Sequence, residues 1–403
     1  MNKEKKKQNN MLTRQNFITR TGAVILTGLL ILTGLLSGCK AETTTITKTN
    51  TLTTTVNPPA TTHTQTQTVF ETITTTVSGN TNTKTASTRT IVDMSGVAVE
   101  IPYEVNTYVG SWFAHNAVIV MLDKAEGLCA TSCSKTAWPW MYEVAPNMND
   151  ALFATFSTEM NIEEIVALQP DVIFGYSDNY REMFANVGIP FINCSFSSFD
   201  TMIRSIQMTA EVLGGEAIEI ANAYVAYLNE KIDWLTELTG SIAEEDKISV
   251  LHGNSIYNLT VDGTNTIIDA WIKTAGGLNA VGNDVSGNFK SVTLEQIITW
   301  DPDVIIVGKV GDVELIMNDP AWAVLKAVKN GNVYLNPAGV FAWDRYGVEE
   351  ALQIQWTAQL LYPELFEGED FDISEEVKYF YTTFFNYNLS DEQVAKILAH
   401  ENP

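Results

Sequence analysis

Asn161-Ile162-Glu163-Glu164-Ile165-Val166-Ala167-Leu168-Gln169-Pro170-Asp171-Val172-Ile173-Phe174-Gly175 returns 132 residues later as Thr293-Leu294-Glu295-Gln296-Ile297-Ile298-Thr299-Trp300-Asp301-Pro302-Asp303-Val304-Ile305-Ile306-Val307-Gly308, with one extra residue before the closing glycine. Both copies carry the same physical instruction. Asn161 with Glu164, and Thr293 with Gln296, have the spacing of capping boxes, which open a helix by exchanging side-chain and backbone bonds. Pro170 and Pro302 cannot continue that helix. The Val/Ile runs that follow read as strands buried on both faces of a parallel sheet. Two copies of one αβ unit predict an α/β protein of two similar three-layer lobes, with a ligand cleft between them.

The join between the lobes is also readable. From Glu216 to Leu238 the chain places Ile218, Ala221, Val225, Leu228, Ile232 and Leu235 at helical spacing, with no Pro or Gly. That predicts one helix of about 23 residues, roughly 34 Å long at the α-helical rise. Gly214-Gly215 precedes it and Gly240 follows. The expected division is an N-terminal lobe over 89–214, a stiff linking helix over 215–240 and a C-terminal lobe over 241–403. Order begins with Ile91-Val92-Asp93-Met94-Ser95-Gly96-Val97-Ala98-Val99-Glu100-Ile101-Pro102, two β-branched runs around a turn-prone Met-Ser-Gly, a hairpin pattern.

Upstream, Lys3, Lys5, Lys6, Lys7, Arg14 and Arg20 precede an apolar run from Ala23 to Leu36. Charge and length make residues 1–38 a signal peptide, the run being shorter than the roughly 20 residues of a membrane span. Leu36-Ser37-Gly38-Cys39 resembles the lipobox of bacterial lipoproteins, which implies lipidation of Cys39 and an extracytoplasmic chain anchored to the cell membrane. Residues 39–88 follow, with 23 Thr between Lys40 and Thr90. They show no recurrent apolar face and read as a flexible tether, the alternation of Thr and Val allowing a β-rich stalk instead.

The formal charge of the whole chain is −24, and removal of a leader carrying net +5 leaves −29. Such acidity excludes nucleic acid as a partner. It weighs a little against a small free oxyanion, although a local pocket can override a global field. Beyond Cys39 only Cys129, Cys133 and Cys194 remain. Cys129 and Cys133 could pair outside the cytoplasm or stay free thiols. The motifs Gly-x-Ser-x-Gly, Gly-Lys-Ser/Thr and His-Glu-x-x-His are absent, so no enzyme is expected. With only His115 and His252 in the lobe region before the terminal His400, a zinc cage is not expected either.

The hairpin around Asp93 and Gly96, the paired αβ units, Ala275-Gly276-Gly277-Leu278-Asn279, Asp319-Pro320-Ala321-Trp322 and Val328-Lys329-Asn330-Gly331-Asn332-Val333-Tyr334 together resemble the helical-backbone substrate-binding proteins of ABC importers for ferric siderophores, haem and cobalamin. The resemblance spans Ile91 to about Leu398. It implies a monomer with no intrinsic cofactor, serving a membrane permease and its ATPase. It also implies that Glu163 and Glu295, each second in its short helix, dock on the permease; an acidic residue in a first turn could instead simply complement the helix dipole. The ligand order it implies is a ferric siderophore or similar iron complex, then a corrinoid with its cobalt, then haem, then molybdate or tungstate. A surface adhesion lipoprotein, with the Thr-rich stalk holding it outward, is the alternative of a different class.

The cleft should lie at the carboxyl ends of the strands. Six or seven residues before the docking glutamates stand Phe156 and Phe289, about where related cobalamin-binding proteins carry aromatic side chains. Loops after expected strands add Trp112 and His115, the pair Trp138 and Trp140 with Tyr142, then Tyr176, His252 and Tyr257, and finally Trp343 and Arg345. Aromatic walls suit large flat ligands and Arg345 suits an anionic group. Any one of these rings could instead be core, Arg345 could pair with Asp344 or Glu349, and His115 could be an ordinary hydrogen-bonding residue.

Overall fold

The computed structural model describes residues 43–53, 66–76, 88–157, 160–368 and 371–403, and the chain divides into two units, Met1–Thr85 and Ala86–Pro403. The signal peptide and Cys39 lie outside the described residues. In the first unit, β1 (Thr43–Thr53) and β2 (Thr66–Thr76) pair antiparallel, Thr43 opposite Thr76 and Thr53 opposite Thr66. Both strands lie in the Thr-rich segment, where β-branched Thr, Ile and Val favour a pleated ribbon.

The second unit opens on the hairpin of β3 (Thr88–Val92) and β4 (Ala98–Pro102). Asp93 fixes its turn: one carboxylate oxygen accepts from the backbone N–H of Ser95 and of Val97, both at 3.0 Å. The other accepts from Asn193 N at 3.0 Å and from Arg181, which ties the hairpin to the first lobe. Gly96, at φ +81°, supplies the left-handed residue that the turn requires.

Five parallel strands form the first lobe's sheet: β5 (Tyr108–Gly110), β6 (Leu128–Thr131), β7 (Leu152–Phe153), β8 (Val172–Gly175) and β9 (Phe191–Asn193), in the order β7-β6-β5-β8-β9. In the second lobe β10 (Ser249–Gly253), β12 (Leu278–Asn279), β14 (Val304–Val307) and β15 (Val333–Leu335) are parallel in the order β12-β10-β14-β15, while β11 (Thr260–Val261) pairs apart with β13 (Lys290–Ser291). Every residue of the two repeated strands, β8 and β14, is buried. Strand order reverses between β5 and β8 in one sheet and between β10 and β14 in the other. Loops diverge there, and the crevice at the carboxyl ends of such strands is where open α/β sheets hold ligands.

The repeated helices run Ile162–Ala167 and Leu294–Trp300. Thr293 and Gln296 form a complete capping box. Asn161 does not cap: its side-chain N–H donates to Glu164 Oε1 at 2.9 Å, so the spacing of a capping box serves here as a side-chain clasp. The linking helix covers Ala217–Thr239 and buries Ala221, Tyr224, Tyr227, Leu228 and Leu235, whereas Ile218 is 43% exposed. Two tyrosines complete a stripe for which the sequence offered aliphatic residues. Tyr224 donates to the Val348 carbonyl at 2.7 Å and Tyr227 to Glu376 at 2.8 Å, so the helix is held to the second lobe by buried polar bonds as well as apolar area.

Candidate functional site

At the first switch point Trp112 follows β5 and Tyr176 follows β8, their ring centroids 5.8 Å apart. Phe196, just past β9, meets Trp112 at 5.4 Å. Tyr346 of the second lobe reaches across to both, 5.8 Å from Trp112 and 5.5 Å from Phe196. Ring separations of this size are favourable aromatic contacts. One ring of the second lobe thus rests on two of the first.

Behind Tyr346 lies a buried charge network. His252, on β10, sets Nδ1 3.1 Å from Asp262 Oδ2 and Nε2 2.8 Å from Asp344 Oδ2. Arg345 donates through Nη2 to Asp262 Oδ2 at 2.8 Å, and its Nε stands 3.5 Å from Asp344. Asp262 Oδ1 accepts from the backbone N–H of Phe289 at 3.0 Å, and the Phe289 ring covers the guanidinium at 4.6 Å. Gly308, just past β14, packs closely here: a Cβ there would lie 3.1 Å from Asp344 Oδ2. Burial works against every charge in the set, but hydrogen bonding and the opposite charges prevail, holding Asp262 and Asp344 low and raising His252 and Arg345.

Two observations mark this as more than a structural ion cluster. Arg345 is 9% exposed, yet its Nε and Nη1 have no hydrogen-bond partner, and buried donors are normally satisfied. Phe289 and Tyr346, the two rings flanking it, both sit at positive φ, +55° and +58°. Bulky side chains in that region are strained, and such strain gathers at binding sites.

Of the residues singled out from the sequence, the structure brings Trp112 together with Tyr176 and Phe289 together with Arg345, and Tyr346, next to Arg345 in sequence, touches Trp112. His115 lies behind it, fully buried, stacked on Trp112 and bonded to Thr209 at 2.8 Å; burial lowers it to about 3, so it is a neutral prop for the aromatic wall. Phe156 packs with Ile165 and Phe184 on the outer face of the first sheet. Tyr257 stacks on Trp322 within the second lobe. Trp343 is wholly buried and donates to Glu349 at 3.1 Å, its size serving the core. Arg345 pairs with Asp262 and Asp344 rather than Glu349. Cys129, Cys133 and Cys194 are free thiols, Cys133 being raised by burial. Sequence reasoning did not find Phe196, Tyr346 and Asp262. The adjacency of Tyr346 to Arg345, and an acidic residue directly after the short run Thr260-Val261, were the available signals.

Trp138, Trp140 and Tyr142 also turn out otherwise. Trp138 stacks on Phe341 of the second lobe at 4.2 Å, Trp140 Nε1 donates to the Glu401 carbonyl at 2.8 Å, and Tyr142 donates to the Cys133 carbonyl at 2.6 Å. Tyr387 adds a bond to Glu143 at 2.8 Å. The Trp-Pro-Trp loop is thus a brace between the lobes, using ring area and indole N–H on the chain's C-terminal segment. Trp138→Ala should cost about 2 kcal/mol, from the lost ring pair and the gap it leaves. Thermal denaturation should show a melting point lower by roughly 4–6 °C, and an unchanged melting point would remove the brace.

Among the described residues no helix is long and apolar enough to cross a membrane, and no group of three or more His, Cys, Asp or Glu is arranged to hold a metal ion. Two parallel α/β sheets on either side of one linking helix, each with a switch point in its strand order, are the architecture of two-lobed binding proteins. The chain belongs to the periplasmic binding protein family, whose profile matches residues 125–339, and it is the solute-binding component of an ABC transporter rather than an enzyme. The molybdate-binding protein MolA of Haemophilus influenzae is 26% identical over 76% of this chain and 94% of its own length. The Fe(3+)-citrate-binding protein YfmC of Bacillus subtilis is 25% identical over 47% of this chain and 60% of its own length. Among solved structures, a periplasmic solute-binding protein of Veillonella parvula is 26% identical with TM-score 0.66, covering 78% of this chain and 97% of that one. Molybdate-bound MolA superposes with TM-score 0.67 at 23% identity, over 75% of this chain and 99% of its own, a likeness of fold.

Proposed function

We propose that this protein is lipid-anchored through Cys39 outside the cytoplasmic membrane, captures a small anionic metal species at Arg345 as a monomer, and delivers it to an ABC permease. The buried guanidinium carries the reading, because its Nη1 donors meet no acceptor and a desolvated charged donor matches an oxyanion and is costly to leave unmet. Molybdate or tungstate is the first choice of ligand. The contact of Tyr346 with Trp112 and Phe196 supports a small ligand over haem or a corrinoid, which would have to part three rings. The ligand named for MolA supports it further. A ferric complex of citrate or a siderophore is the second reading, favoured by the wall of Trp112, Tyr176 and Phe196 and by the ligand named for YfmC. The chain's acidity is no obstacle, since the two acidic residues in the site are matched by His252 and Arg345.

Calorimetric titration with molybdate, tungstate, ferric citrate, a ferric siderophore, cobalamin and haem tests the reading, with Trp112 emission as a second signal. Binding of cobalamin or haem alone, or of none of the six, would discard it. Glu163 and Glu295 are both exposed on their helices and serve as docking contacts in this proposal. Exposed ion pairs contribute orientation more than affinity. The double variant Glu163→Arg/Glu295→Arg should therefore bind ligand within about twofold of wild type while uptake by cells falls at least about tenfold. Uptake at the wild-type rate would end the docking assignment.

A further inference from the structure

We infer that His252 is the positioning residue of the site: held as an imidazolium between Asp262 and Asp344, it keeps the cluster electrically neutral so that Arg345 can take an anion. The inference rests on the proposed anion site at Arg345 and assigns a role to a residue that does not reach the ligand. Geometry carries it. His252 is fully buried, and both its ring nitrogens face carboxylate oxygens, at 3.1 and 2.8 Å. A neutral imidazole has one N–H and one lone pair, so one of its nitrogens would oppose a carboxylate lone pair. Only the imidazolium donates to both.

Two carboxylates, one guanidinium and one imidazolium sum to zero. With His252 neutral the same cluster carries −1 directly behind the guanidinium, and an incoming oxyanion meets a repulsive site. The groups facing His252 are few: Asp262 beyond β11, Asp344 and Arg345 beyond β15, and the edge of the Trp271 ring at 5.3 Å. Ile306, its neighbour on β14, is apolar. Tyr346 and Glu350 lie beyond Asp344 and Arg345; burial raises both, Glu350 well above the usual carboxyl range, so neither adds a charge near neutrality. The attraction of two carboxylates likewise raises His252 against the burial that opposes it.

Two measurements on the full chain decide the matter. In a ligand-free sample, imidazole NMR with His252 assigned by subtraction of the His252→Gln spectrum should show the imidazolium persisting above the ordinary histidine range, through pH 7. A neutral ring at pH 6 would overturn the inference whatever the ligand proves to be. In molybdate titrations, wild-type affinity should fall as pH rises through the His252 transition. His252→Gln should bind at least ~10-fold more weakly with no transition in that window, since one uncompensated charge now lies near the anion. The double variant His252→Gln/Asp344→Asn, which restores neutrality, should recover most of that loss. A merely structural histidine predicts no such rescue, and an unrecovered double variant counts against the charge role. If the wild type binds no oxyanion, the anion site itself fails, and the NMR titration still decides whether His252 is held charged.

Discussion

Arg345→Gln should raise the dissociation constant for molybdate by roughly two orders of magnitude. The guanidinium keeps two nitrogens, Nε and Nη1, without a hydrogen bond in the protein, and a hydrogen bond to a charged partner contributes about 1.5–3 kcal/mol, with each 1.4 kcal/mol worth tenfold. The Gln amide cannot reproduce the fork and removes a positive charge, leaving Asp262 and Asp344 opposed by His252 alone. Breaking a buried pair by removing one partner costs about 3–5 kcal/mol, so the folded state must be monitored. Arg345→Lys separates the two effects: the charge stays and the fork is lost, and affinity should fall by about tenfold with little change in melting point. Calorimetry checks binding and circular dichroism the fold. A folded Arg345→Gln variant that binds within threefold of wild type would dismiss Arg345 as the anion contact.

That this residue was accessible from sequence, and its neighbours less so, has a physical reason. Local patterns report local physics. Buried Val/Ile runs after a proline, a glycine-free apolar stripe and a Ser-Gly turn each specify their own backbone, so β8, β14, the linking helix and the opening hairpin were legible. Arg345 stood out because an arginine follows an aromatic, acidic loop. Whether an aromatic ring faces the cleft or the core depends on which loop crosses from the other lobe, information that no short window contains. Trp112 and Trp140 show this: both follow strands of the first sheet, yet one lines the cleft and the other bonds the C-terminal segment 261 positions away. Asp262 was invisible for the same reason, since its partners come from β10, the residue just before β13 and the loop after β15. The clasp at Asn161 shows the opposite failure, where a correct spacing is used for a different bond.

Glu349→Gln should lower the melting point by roughly 2–12 °C at pH 5, and by less at pH 8. The loop that presents Arg345 is held from beneath by this one carboxylate. Oε1 accepts from Val340 N at 3.2 Å, Trp343 Nε1 at 3.1 Å and the Tyr381 hydroxyl at 2.6 Å, and Oε2 accepts from Phe341 N at 2.7 Å. Gly339 leaves the space: a Cβ there would lie 2.2 Å from Oε1 and 2.0 Å from the Tyr381 hydroxyl. Three of the four donors are N–H groups that cannot reverse, so the Gln amide must turn its own N–H toward at least one of them. An unmet buried donor costs about 1–3 kcal/mol, and each kcal/mol lowers the melting point of a domain this large by roughly 2–4 °C. Burial raises Glu349 to about 7 against an ordinary value of 4.5. A carboxyl raised on folding favours the folded state fully below its unfolded value and loses that contribution as pH climbs through the folded one. Gln does not titrate, so the difference between the proteins must narrow between pH 5 and 8, and a difference that widens would contradict the assignment. Because the loop also carries Arg345, the variant should bind molybdate more weakly at pH 7, and ligand at a hundredfold excess over its dissociation constant should restore about 2.7 kcal/mol of stability. Ligand at the same multiple of its dissociation constant stabilises any folded binder equally, so the mark of a loop support is the lowered melting point of the ligand-free variant, which a residue that only contacted the anion would leave unchanged.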